Sequence, residues 1–150
     1  MKIPIKYGSI TGLGLIIWVL IAHSLVPNPQ SAVHVPGGPI FFNILHFLMI
    51  FLGIKALERE RGDKLPFKEA LRTGVSIAFV FALIGSLFFG CLILFVGTKW
   101  LPSEPGAPPT PERVLLIKAF AGFFLFTIIL GLIYSTVISF FVAKRRSEEA

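Results

Sequence analysis

The chain has 150 residues, 55% of them apolar, with a formal net charge of +6 and a mean hydropathy of +0.83. That length is one domain, and so apolar a composition excludes an ordinary water-soluble one. The Lys and Arg residues flank apolar runs and form no basic stripe interleaved with aromatics, so they point to anionic lipid headgroups and exclude nucleic acid as a partner.

The first apolar run predicts a membrane span over about residues 8–26, without a formal charge across the roughly 20 residues that a bilayer needs. Pro27 and Pro29 end it. A competing reading is a cleaved signal peptide, with Lys2 and Lys6 as its basic region and Ala22-His23-Ser24 as a small-x-small site. The run is longer than a typical signal core, and cleavage would leave three spans. After an outer loop, 27–39, comes a second span over about 40–57, with Lys55 reaching toward the headgroups.

A connector over 58–73 mixes charges, and Lys68 and Arg72 are expected to pair with Glu69 or with headgroups. Pro66 suits a first helical position, and Phe67 and Leu71 would press into the membrane interface. The third span covers about 74–97. A second outer loop, 98–113, holds the proline-rich stretch from Trp100 to Pro111. The fourth span, about 114–143, is longer than a bilayer requires and should tilt or project. A backbone in hydrocarbon must satisfy its own hydrogen bonds, so each run is predicted to be a helix. The result is an all-α integral membrane bundle of four transmembrane helices.

Counting Lys and Arg orients it. The N-terminal stub, the middle connector and the tail carry Lys2, Lys6, Lys55, Arg59, Arg61, Lys64, Lys68, Arg72, Lys144, Arg145 and Arg146, against Lys99, Arg113 and Lys118 on the other side. Both termini and the 58–73 connector are therefore expected on the cytoplasmic side of the membrane.

Small residues recur at every fourth position in the third span, at Gly74, Ala78, Ala82, Ser86 and Gly90, and in the fourth, at Thr127, Gly131, Ser135, Ser139 and Ala143. Such stripes let backbones approach closely, so these two helices are expected to pack face to face, Ala82 opposite Ser135 and Ser86 opposite Gly131. Gly8 and Gly12 form a shorter version in the first span. The same stripes could serve a homo-oligomer or a membrane-protein partner.

Polar groups inside the runs are few. His23, His34 and His46 fall toward the outer face, as does Asn43. As metal or haem ligands they lack helical ligand spacing and a carboxylate to complete the set, so they are expected to be interfacial, bonded to backbone, loop or headgroup. The absence of Asp and Glu from all four spans disfavours ion-coupled transport. The lone Cys91 permits no intrachain disulfide, and no nucleophile elbow, Walker loop, dinucleotide-binding glycine pattern or zincin motif occurs. No catalytic residue and no cofactor is therefore expected.

Three stretches carry a resemblance: Lys6-Tyr7-Gly8 with Gly12; Gly53-Ile54-Lys55 with the connector from Arg61 to Gly74, including Phe67-Lys68-Glu69-Ala70; and Gly131, Ser135 and Ser139 before Lys144-Arg145. With them the chain resembles the bacterial membrane proteins grouped as domain of unknown function 4199, over nearly its full length apart from Trp100 to Pro111. The resemblance implies a four-helix inner-membrane protein and carries no established activity, so it transfers no functional residue. The expected role is a non-catalytic structural or accessory component in contact with lipid, including anionic headgroups on the cytoplasmic side. The alternative is a small transporter or a ligand- or metal-binding protein with an outer-facing pocket near His23, Asn43 and His46.

Overall fold

A computed structural model describes residues 2–25, 38–62, 65–96 and 111–147. Four helices account for nearly all of them: α1 (Lys2–Leu25), α2 (Gly38–Arg61), α3 (Phe67–Val96) and α4 (Glu112–Ser147). Each contains a stretch long and apolar enough to cross a membrane: Lys2–Ala22, Gly38–Arg61, Phe67–Phe95 and Arg113–Val142. The helices extend beyond the predicted apolar runs because charged first and last turns keep helical hydrogen bonding where water or headgroups can reach their side chains.

Proline and glycine set the ends. Pro4 and Pro39 sit in the first turns of α1 and α2, where a missing N–H removes no bond. Pro66 lies just before α3, and its carbonyl accepts from the amides of Glu69 and Ala70 at 3.0 and 3.1 Å. Pro111 repeats the device before α4, accepting from Val114 and Leu115 at 2.9 and 3.2 Å. α2 stops at Gly62, whose φ of +75° is the left-handed turn that glycine adopts without a Cβ penalty.

Successive helices run antiparallel, with α3 at the centre touching the other three and sharing its longest interface with α4. Side-chain size explains the approach. A methyl placed on Gly131 would collide with Ala78 Cβ, and one on Gly74 would collide with Ser135. On the α1 side, a methyl at Gly8 would come within 2.6 Å of Val80 Cβ, and one at Gly12 equally close to Ile84 Cγ2. Every described side chain or glycine of the two long stripes is buried; the Ala143 side chain lies outside the described residues.

The register differs from the one expected. Ser135 meets Gly74 where Ala82 was expected, and Gly131 meets Ala78 where Ser86 was expected. The offset is two turns of helix, about 12 Å at ~1.5 Å per residue. Bulk on α4 is the reason: in this register Phe123 falls on Gly85, the one position on that part of α3 without a side chain. Ser86 instead donates to the Phe120 carbonyl at 3.3 Å.

Packing is uneven along the bundle axis. At the connector end, Ile50, Ile54, Leu65, Ala70, Ile77, Ala78, Ile138 and Val142 form one closed cluster, flanked by Tyr7, Leu57 and Tyr134. Toward the other end Phe81, Phe89 and Phe123 stand between the helices, ring centroids 5.1–5.9 Å apart. The backbones have separated there, since a methyl at Gly90 would find its nearest neighbour, Leu116, only at 3.9 Å.

Candidate functional site

Where the helices part they leave a partly open chamber of about 330 Å³ to which all four contribute. Its wall is mostly Leu, Ile, Val and Phe, with Asn43, His46 and Thr127 as the polar side chains and Trp18 at one side. Trp18 is held by stacking on Phe41, ring centroids 4.5 Å apart and 18° from parallel.

Asn43 makes one hydrogen bond at each end of its amide. Its Nδ2 donates to the Pro39 carbonyl at 2.7 Å, one turn back on α2, and its Oδ1 accepts from the Tyr134 hydroxyl at 2.6 Å. That second bond ties α2 to α4. Tyr134 received no role in the sequence reading; its mid-helix phenol in an otherwise apolar run was the available signal.

His46 corrects the expectation of an interfacial histidine. It is only 3% exposed, seated edge-on to Phe81 at 4.9 Å and Tyr134 at 5.6 Å between ring centroids. Its Nε2 has no hydrogen-bond partner among the described residues. The ring lies against Gly131 of α4, where a methyl would stand 3.4 Å from both Cε1 and Nε2. Thr127 lies one turn earlier on the same face of α4, also 3% exposed. Thr11, Ser76, Ser135 and Thr136 bond back to their own helix at 2.5–2.8 Å. Thr127 hydrogen-bonds to no described residue.

The structure therefore brings Asn43, His46 and Thr127 to one chamber. His34 and the side chain of His23 lie outside the described residues, and among those described no group of three His, Cys, Asp or Glu comes together to hold a metal ion. The chamber can position and shield a small molecule. It offers hydrogen bonding and apolar contact.

The connector end carries a second, wider groove between the start of α1, the end of α2 and the start of α3, where Lys2, Arg61 and Arg72 line the wall with Glu60 and Glu69. The expected pairing of Glu69 with Lys68 or Arg72 is replaced by an ion pair to Arg61 at 2.5 Å, which bridges the connector from α2 to α3. Lys55 pairs with Glu58 at 2.7 Å, three residues on along the same helix.

A family model described as a protein of unknown function, DUF4199, matches residues 6–101. The match takes in nearly all of α1 and the whole of α2 and α3 and ends before α4, so Gly131, Ser135, Ser139, Lys144 and Arg145, which entered the resemblance above, lie beyond it. Searches of curated proteins and of solved structures found no match.

Proposed function

Since the chain belongs to the domain of unknown function 4199 family, whose description carries no activity, we propose a role from the bundle itself: a multi-pass protein of the bacterial inner membrane, both termini cytoplasmic, acting as a non-catalytic accessory component. The observation that carries this is the pairing of an apolar girdle with a basic end. Phe79, Leu87, Phe126, Ile129, Ile133 and Phe140 point outward from α3 and α4, a surface suited to acyl chains. Lys2, Arg61 and Arg72 converge at one end of the bundle, where anionic headgroups of the cytoplasmic leaflet would meet them. Purification from membranes in mild detergent tests the accessory role, which expects a discrete homo-oligomer or a co-purifying membrane protein. A pure monomer that moves a solute across liposomes would overturn it.

A second reading, ligand binding within the membrane, is favoured by the chamber, because His46, which lines it, holds a buried imidazole nitrogen without a hydrogen-bond partner among the described residues.

A further inference from the structure

The chamber's lining restricts its occupant. None of the described residues around it is Asp, Glu, Lys or Arg, so among them a charged ligand would find no counter-charge, a cost that apolar contact does not recover. Its volume of about 330 Å³ lies at the low end of the ~300–1,000 Å³ typical of small-molecule sites, which suits one chain and not two. Water fills it poorly, since roughly ten molecules at ~30 Å³ each would face a wall with few groups to bond them. Asn43 already holds one hydrogen bond at each end of its amide. His46, whose Nε2 has no hydrogen-bond partner among the described residues, and Thr127 both line the chamber, with Gly131 lying against the His46 ring one turn along α4 from Thr127.

We propose that the chamber binds an uncharged, single-chain amphiphile with a hydroxyl head, the hydroxyl bonded to His46 and Thr127 and the chain lying along Leu15, Phe81 and Phe123. A hydroxyl both donates and accepts, so it completes the imidazole nitrogen in either tautomer and still reaches the threonine. The inference rests on the ligand-binding reading and adds to it the chemistry of the head.

Trp18 supplies the readout, because it lines the chamber and Trp100 is the only other tryptophan. The full-length Trp100→Phe chain in detergent is titrated with bromodecanol and, separately, with bromodecane, at matched mole fraction in the micelle, and tryptophan quenching is followed. Saturable quenching is expected, with bromodecanol half-saturating about five- to tenfold below bromodecane, the effect of one buried hydrogen bond. His46→Phe should bring the two probes to the same half-saturation by weakening the alcohol alone. Ala119→Phe, which places a ring in the chamber from the α4 side, should abolish the saturable component for both. If Ala119→Phe abolishes it but the wild-type site takes both probes equally, the hydroxyl head is refuted and ligand binding stands. Quenching that is non-saturable, or indifferent to Ala119→Phe, overturns both. The comparison of probes on the unsubstituted His46 chain decides the matter even if His46→Phe does not fold.

Discussion

Replacing Gly131 with alanine puts the closest point of the α3–α4 interface to the test. The added methyl would collide with Ala78 Cβ, whereas two carbons settle at ~3.5–4.0 Å. The helices must therefore part by more than an ångström locally, and a gap of ~0.5–1 Å already forfeits a quarter to a half of each dispersion contact that it opens. The neighbouring pair of Gly74 with Ser135, two turns of stripe that depend on the same approach, would loosen with it. Overpacking of this kind costs about 1–3 kcal/mol, and a net loss of about 2 kcal/mol is expected here. The measurement is reversible unfolding in mixed micelles of dodecylmaltoside and SDS, followed by circular dichroism. Gly122→Ala is the control, because a methyl there meets nothing within 4 Å; its change should lie between zero and a gain of ~1 kcal/mol from helix propensity. Moving the methyl across the interface, Gly131→Ala with Ala78→Gly, should recover most of the loss. Equal unfolding of Gly131→Ala and wild type, or no recovery in the double variant, would refute the close-approach account.

Tyr134→Phe removes the bond to Asn43 that joins α4 to α2, and hydrogen bonds between membrane helices average ~0.6 kcal/mol, so the same assay should register a loss of about that size and no more than ~2 kcal/mol. Arg61→Gln breaks the ion pair to Glu69, but both side chains are well exposed, and a change below ~1 kcal/mol is expected, shrinking further with added salt. In a Cys91→Ala background, single cysteines at Ser31, Arg61 and Gly106 should react with an impermeant maleimide in intact cells at the first and third sites only. Labelling at Arg61, or protection of Ser31, would reverse the proposed orientation.

Most of what makes this chain a four-helix bundle is written in composition and spacing. Uninterrupted apolar runs, bounded by Pro27, Pro66 and Pro111, demand helices because no other backbone form satisfies its own hydrogen bonds in hydrocarbon. The every-fourth-residue stripes on α3 and α4 were equally legible, since four residues bring the chain back to the same face. What the sequence left undetermined was how far one helix slides along the next. A stripe of small residues looks alike at each repeat, so Ala82 against Ser135 and Gly74 against Ser135 read equally well on paper. Only the three-dimensional fit of Phe123 onto Gly85 distinguishes them.

The chamber belongs to the same class of fact. His46 reads as interfacial by its place along α2, because depth in sequence reports distance along the axis and says nothing of direction around it. Its burial was decided by Gly131 on another helix lying against the ring, and by Phe81 and Tyr134 closing over it. Residue types and their periodicity determined the secondary structure and the number of helices, because those obey local rules of hydrogen bonding and solvent. Register, the cavity and the unpartnered imidazole depend on side chains more than thirty residues apart meeting in space, and that was settled only when the helices packed.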